Sequence, residues 1–250
     1  MSKISAVVLT YNSEELISDC LESVKFCDEI VVVDAGSKDK TLTIAKKFKA
    51  KVLNFEKGDY AGSRNLGLKN SISDWILYVD SDERITPQLR NNIKKIISSS
   101  NNFVAYKVKR KNFYFGSHEW PYIEKLERLF KKEALKGWYG KIHESPTIEG
   151  KVGILDGFVL HYTHRDLSSM VEKTLEWSKT EAELRFKANH PKMSVWRFPR
   201  VILSAFFDSY VRQQGYKAGV VGLIESMYQS FSMFVTYARL WEMQKSTEDK

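Results

Sequence analysis

Ile76-Leu77-Tyr78-Val79-Asp80-Ser81-Asp82-Glu83 is an apolar run that ends in three carboxylates within four residues. A buried strand ending this way pushes its acids into one end of a sheet, where like charges crowd each other unless something positive sits among them. Hard carboxylate oxygens at such a point suit Mg²⁺ or Mn²⁺ bound together with a phosphate. On an extended backbone the Asp80-x-Asp82 spacing also points both acids the same way, because side chains repeat with period two. The competing reading is a polar turn ahead of a helix that starts at Pro87. The flanking segments decide how much weight each deserves.

Upstream, short apolar runs alternate with helical patterns. Ile4 to Leu9 reads as a buried strand ending in Thr10-Tyr11-Asn12-Ser13, and Ser13 is placed to cap a helix on which Leu16, Ile17, Cys20, Leu21 and Val24 recur. Ile30 to Val33 is the second strand; Asp34-Ala35-Gly36-Ser37-Lys38-Asp39 leads from it into a helix carrying Leu42, Ile44, Ala45 and Phe48. Lys51 to Asn54 is a third strand, Tyr60 to Asn70 a helix holding Arg64 and Asn65, and Trp75 to Val79 the fourth strand. Such alternation predicts a parallel sheet covered on both faces, with right-handed crossovers. Ligands of these sheets bind beyond the carboxyl ends of the strands, which brings Thr10 to Asn12, Asp34 to Ser37 and Asp80 to Glu83 to one cleft.

The chain has 250 residues, 43% of them hydrophobic and 28% charged, enough to bury a sizeable core. Its two cysteines, Cys20 and Cys27, are too few for a disulfide framework, and the start Met1-Ser2-Lys3 lacks the zones of a signal peptide. A cytoplasmic location is expected. No segment offers about 18 uninterrupted apolar residues for a spanning helix. The net charge of +8 favours anionic partners, nucleotide phosphates or acidic lipid headgroups among them. Nucleic acid is not expected, because no recognisable binding module is present.

The first strand is followed by neither Gly-x-Gly-x-x-Gly nor a Gly-Lys-Ser/Thr loop, which argues against ordinary dinucleotide and NTPase sites. A nucleotide can still be held. Tyr11 can lie against a base, Asp34 can accept from a base N–H or a ribose hydroxyl, and Arg64 can meet a diphosphate. Each has an ordinary structural alternative: Tyr11 packed on the sheet, Asp34 capping the next helix, Arg64 as a solvated helix residue.

Taken in order, Ala6-Val7-Val8-Leu9-Thr10-Tyr11-Asn12, Val32-Val33-Asp34-Ala35-Gly36-Ser37-Lys38-Asp39-Lys40-Thr41, Arg64-Asn65 and Asp80-Ser81-Asp82-Glu83 resemble family 2 glycosyltransferases of the GT-A fold. The resemblance covers the first half of the chain. It implies an α/β architecture with a Rossmann-like, mostly parallel sheet covered by helices. It also implies a nucleotide-sugar donor, commonly a UDP-sugar, with Mn²⁺ or Mg²⁺ bridging its diphosphate. Carried over by motif, Thr10, Asn12 and Asp34 contact the nucleoside, Asp80 sits by the ribose and Asp82 binds the metal.

After Phe103 the alternation fades. Val104 to Arg110 and Lys125 to Phe130 read as strands flanking a loop that contains Phe113, Tyr114, Phe115, His118, Trp120 and Tyr122. Gly137-Trp138-Tyr139-Gly140-Lys141-Ile142-His143-Glu144 follows. Sugar transfer needs a base for the acceptor hydroxyl, and Glu144 is the candidate, with His143 orienting it or touching the diphosphate; a surface His-Glu turn is the alternative. The pair and Arg128-Leu129-Phe130 resemble the lipopolysaccharide-core branch of the family. That likeness implies inverting transfer to a glycan or lipid-linked acceptor in cell-envelope glycan synthesis. Gly157 to Tyr162 reads as a strand delivering His161. In several GT-A enzymes a histidine from this region completes the metal site, so His161 is a candidate ligand; a satisfied structural histidine is the alternative. His118 and His190 belong to no motif.

From Asp166 the pattern is helical: Leu167 to Asn189, Val195 to Gln213 and Ala218 to Met243. The last two carry Trp196, Phe198, Phe206, Phe207, Tyr210, Phe231, Phe234, Tyr237 and Trp241, interrupted by Arg197, Arg200, Arg212, Lys217 and Arg239. Contact with a membrane surface, a homo-oligomer contact and internal packing each account for this pattern. The expected organisation is a catalytic domain over residues 1–165, with a donor half to about 100 and an acceptor half from 101, then a helical extension over 166–250. A sugar-phosphate nucleotidyltransferase would share the sheet and its acids but should carry a Gly-rich, Arg-containing loop where Thr10-Tyr11-Asn12-Ser13 stands. A non-catalytic membrane-binding relative should have lost Asp34, Asp80, Asp82 or Glu144, all of which are present.

Overall fold

The computed structural model describes residues 2–99, 102–140 and 143–248. By contact density the chain divides into two units: Met1–Lys111 with Ile123–His161, and Asn112–Tyr122 with Tyr162–Lys250.

From the N-terminus β1 (Ile4–Thr10), α1 (Ile17–Ser23), β2 (Glu29–Asp34), α2 (Thr41–Lys47), β3 (Lys51–Asn54), α3 (Tyr60–Asn70) and β4 (Trp75–Asp80) follow in order. Next come β5 (Glu83–Ile85), α4 (Pro87–Ser98), β6 (Phe103–Tyr114), β7 (His118–Lys131), β8 (Leu135–Tyr139), β9 (Ser145–Ile148) and β10 (Lys151–Tyr162). One eight-stranded sheet has the order β3-β2-β1-β4-β7-β6-β10-β5, and β8-β9 form a separate pair. β3, β2, β1 and β4 run parallel. β7 pairs antiparallel with β4, and β5 antiparallel with β10.

Alternation along the strands sorts the core into two faces. Ile4, Ala6 and Val8 of β1, with Trp75, Leu77 and Val79 of β4, pack against Ile17, Cys20 and Leu21 of α1 and Leu89 and Ile93 of α4. Val7, Leu9, Ile76 and Tyr78 point to the other face, with Ala61 of α3, Leu135 and Trp138 of β8, and Phe130. α3 lies close to the sheet, since a methyl group added to Gly67 would overlap the side chain of Val7. Helix starts follow from capping: Asp59 accepts from Gly62 N at 2.9 Å, and Thr86 caps α4 with Pro87 in its first turn.

Three sequence expectations are corrected. Ser13 does not cap α1 through its side chain; its carbonyl receives the amides of Leu16 and Ile17, while its hydroxyl bonds Ser81 Oγ at 2.8 Å. The aromatic stretch after Arg110 is no loop but a β6–β7 hairpin turning at 115–117, where Phe115 and Gly116 adopt positive φ. Aromatic side chains suit strands, so the composition that suggested a loop builds a hairpin. Finally, Asp80 and Asp82 do not share an extended backbone, because a two-residue turn at Ser81 and Asp82 separates β4 from β5. Arg84 holds this turn by donating to the carbonyls of Ser81 and Glu83 at 3.1 and 2.9 Å.

The second unit contains α5 (Leu167–Lys187), α6 (Arg197–Phe207) and α7 (Gly219–Glu248). Asp166 caps α5 through Ser169 N at 2.8 Å. Ala182, Met193, Tyr237 and Leu240 form a small core flanked by Phe186, Phe198 and Met233. His164 Nδ1 lies 2.9 Å from the buried Glu225, and Trp120 Nε1 donates to Gln213 at 3.2 Å. Among the described residues no helix is long and apolar enough to cross a membrane.

Candidate active site

The register of the parallel strands sets the site. Thr10 lies opposite Asp34, and Leu9 opposite Asp80, so the first, second and fourth strands finish side by side. Asn12, at φ 44°, ties the first loop to the second: its Oδ1 accepts from Lys38 N, and its amide donates to Ser37 Oγ, both at 2.8 Å. Asp34 is buried and accepts from the amides of Gly36 and Ser37 and from Ser37 Oγ. Its carboxylate therefore shapes the loop, with lone-pair capacity left over for one more donor. Tyr11 is 39% exposed, and the ammonium of Lys57 lies 4.1 Å from its ring centre.

Asp80 shares its face of β4 with Ile76 and Tyr78 and so meets α3. Arg64 Nη2 reaches Asp80 Oδ1 at 3.1 Å, while Arg64 Nε donates to Glu144 Oε1 at 2.8 Å. On the other side Arg128 Nη2 donates to Asp80 Oδ2 and to Glu83 Oε1, each at 2.8 Å. Glu83, fully buried, also takes Arg110 Nη1 at 3.1 Å and the amide of Asp80 at 3.0 Å. Arg110 is held in turn by Glu124. Burial works against the charged form of Asp80, but Arg128, Arg64 and Arg110 outweigh it and hold the carboxyl far below the usual range. Burial opposes the charge of Arg128 and of Arg110 as well, and the carboxylates reverse it, raising both guanidinium values.

Asp82 takes a different partner. β5 pairs with β10 so that His161 lies opposite Glu83, and His161 Nε2 comes within 3.2 Å of Asp82 Oδ2. One carboxylate oxygen and one imidazole nitrogen at that separation form a donor set compatible with a divalent ion such as Mn²⁺. Among the described residues no three His, Cys, Asp or Glu side chains gather to hold an ion by themselves. An ion here would draw further oxygens from diphosphate and water, as Mg²⁺ and Mn²⁺ sites commonly do.

Glu144 is carried toward α3 by a clamp. Asn65 Nδ2 donates to Trp138 O at 2.9 Å, and Trp138 N donates to Asn65 Oδ1 at 2.8 Å. His143 precedes Glu144 at φ 58° and is exposed. Lys141 and Ile142, in the stretch quoted with them, lie outside the described residues. Among the described residues, buried polar atoms at this end without a protein partner include Thr10 Oγ1, Arg64 Nη1 and Arg128 Nε. Buried polar groups are rarely left so, and a bound polar ligand is one way to satisfy them.

Thr10, Asn12, Asp34, Arg64, Asp80 and Glu144 are thus linked directly or through their loops, and Asp82 with His161 forms an adjoining pair. Sequence reasoning overlooked Arg110, Arg128, the inward role of Glu83 and the clamp by Asn65. Arg128 did carry a signal, a cation just before the apolar Leu129-Phe130. Arg110 carried none, standing in sequence beside Lys107 and Lys109, whose partners Glu127 and Asp156 lie at the surface.

Comparison with known proteins adds the following. Residues 5–148 match the family described as Glycosyl transferase family 2. An uncharacterized glycosyltransferase of Rickettsia typhi is 29% identical over 97% of this chain and 88% of its own length. The lipopolysaccharide core biosynthesis glycosyltransferase LpsC of Rhizobium meliloti is 26% identical over 96% of this chain and 92% of its own. The crystal structure of Staphylococcus aureus TarS 1–349 in complex with UDP-GlcNAc superposes with a TM-score of 0.53 at 17% identity, covering 98% of this chain and 92% of that one. A longer TarS structure is matched over 46% of its chain with a TM-score of 0.50. These likenesses support the GT-A fold expected from sequence.

Proposed function

The chain belongs to glycosyl transferase family 2, and from that premise we propose that it moves a sugar from a nucleotide-sugar donor, a UDP-sugar by preference, to a hydroxyl of a glycan or lipid-linked acceptor with inversion. The observation that carries this reading is the guanidinium of Arg64, which bridges Asp80 at the end of β4 and Glu144, 64 residues later in the chain. The likeness to LpsC favours a cell-envelope glycan as the product.

In this mechanism the nucleoside lies over the ends of β1 and β2. Tyr11 offers its ring to the base, Thr10 Oγ1 and Asn12 supply polar contacts, and Asp34 uses its remaining lone-pair capacity for a base N–H. Asp80, kept ionised by its arginines, accepts from a ribose hydroxyl. Arg64 Nη1 is the donor left for a diphosphate oxygen. Asp82 and His161 would hold Mn²⁺ or Mg²⁺, which supplies charge neutralisation for the leaving diphosphate.

Glu144 does the proton work. Arg64 fixes Oε1, and Oε2 has no hydrogen-bond partner among the described residues. It takes the acceptor's hydroxyl proton as that oxygen bonds the anomeric carbon and the carbon–phosphate oxygen bond breaks. His143 stands next to it for the acceptor or the diphosphate.

The test pairs binding with turnover. UDP with Mn²⁺ should raise the thermal midpoint of the wild type by mass action, and Asp82→Ala should lose that shift. Glu144→Gln should keep the shift while transfer falls by about two orders of magnitude or more. Near-normal transfer in Glu144→Gln would remove it as the base.

A further inference from the structure

The sugar-transfer reading makes no use of α6. None of its eleven residues, Arg197 to Phe207, is fully buried, although most are apolar. Trp196 is 85% exposed, Leu203 55%, Phe207 57% and Val211 51%. With Arg200 among them, these positions recur at helical spacing along one stripe. α7 adds a second stripe, in which Val220, Met227, Phe231 and Phe234 are all exposed.

The charges around these stripes are one-sided. Residues 195–241 contain five cations and two acids. Of the acids, Glu225 is buried against His164, and Asp208 lies 3.5 Å from Arg212. Arg197 and Arg200 pair with no carboxylate among the described residues. Arg200 borders two cavities. One, of about 230 Å³, is also lined by His190, Arg197 and Tyr237; the other, of about 410 Å³, by Leu203, Ser204, Phe207 and Arg212 and by Asp208, so that two cations face one carboxylate there.

We propose that this face of α6 and α7 docks on an anionic phospholipid membrane. Arg197 and Arg200 take lipid phosphates at the two cavities, and Trp196, Leu203 and Phe207 enter the boundary between headgroups and acyl chains. Charge decides the occupant. A second copy meeting this face about a two-fold axis would bring a second set of five cations and two acids, of which Glu225 is buried and Asp208 already lies beside Arg212, so the excess positive charge would double rather than be answered. Anionic lipid supplies the countercharge and an apolar phase for the aromatic residues. The contact is interfacial, since no described helix can span. It does not depend on the transferase reading, because it rests on exposure and charge in the second unit.

The whole chain should sediment with phosphatidylcholine vesicles containing phosphatidylglycerol, and far less with phosphatidylcholine alone. Replacing two cations, Arg197→Gln with Arg200→Gln, should lower partitioning about 30-fold. Trp196→Ser with Phe207→Ser should lower it as well, at unchanged thermal midpoint because both side chains are exposed. Brominated lipid should quench the wild type more than Trp196→Phe, a variant whose folding is not in question. Donor hydrolysis by the arginine variant should stay at the wild-type rate, so failure here and failure of the transferase reading are separately visible. Equal binding to both vesicle types, or binding to neither, overturns the proposal. So does displacement by inorganic phosphate but not by chloride of equal ionic strength, which marks a free-anion site. A dimer that Trp196→Ser with Phe207→Ser dissociates overturns it in favour of a second copy.

Discussion

At the carboxyl end of β4, Arg64, Arg110 and Arg128 are largely withdrawn from water and each reaches a carboxylate, whereas Arg197 and Arg200 along α6 reach none among the described residues and the apolar residues beside them stay exposed. A buried cation is costly without a partner, so the first set is compensated within the protein and its geometry stands before any ligand arrives. An exposed arginine is hydrated and costs little unpaired. What stands out in the second unit is instead its exposed apolar surface, of the kind that marks interaction sites. The contrast separates a preorganised candidate site from the proposed docking face.

The contrast can be broken most directly at Arg128. Arg128→Met leaves Asp80 and the fully buried Glu83 short of a counterion, and urea unfolding should show a loss of about 3–5 kcal/mol. A loss under about 1 kcal/mol would mean that the network does not hold the acid turn. Glu144→Gln comes next. A hundredfold fall in transfer equals about 2.7 kcal/mol of barrier, and stability should hold because Gln still offers Oε1 to Arg64.

Asn65→Ala removes both bonds of the clamp on Trp138 and should cost about 2 kcal/mol. Transfer should fall too, since the loop carrying Glu144 loses its tie to α3; full activity in this variant would detach the clamp from the site. Acid unfolding tests Asp80 by sign. Its folded value is depressed, so the unfolded chain binds more protons at low pH. The stabilisation is complete above the ordinary carboxylate value, about 4, and fades as pH falls below it toward the depressed folded value. Asp80→Asn should flatten that acid limb. The smallest effect belongs to the other region: Arg200→Gln should change unfolding free energy by less than about 0.5 kcal/mol. A large loss there would erase the distinction between the two sets of arginines.

Much of the first unit was readable in the order of residues. Short β-branched runs separated by amphipathic stretches dictate parallel strands with crossovers, and the C-terminal ends of those strands collect the polar loops. Helix α3 spans Tyr60 to Asn70 as expected, its start set by the local cap Asp59. Local rules gave less at the acid turn. Period two held to Asp80, but Arg84 bonds the carbonyls of Ser81 and Glu83 and bends the chain between the acids. Nor does a hairpin turn at Phe115 and Gly116 stand out in a stretch whose aromatic residues belong equally to loops and strands.

Sequence by itself determined the layered sheet, the edge at which Thr10, Asp34 and Asp80 finish, and the presence of acids there, since periodicity and capping act over a few residues. Only the tertiary structure decided which charges meet. Arg128 reaches Asp80 because β7 pairs with β4, His161 reaches Asp82 because β5 pairs with β10, and Glu144 reaches Arg64 because Asn65 clamps Trp138. These partners are 48, 79 and 80 residues apart in the chain. No local propensity spans such a distance; strand register and burial do, by making an unpaired charge too costly to leave in place.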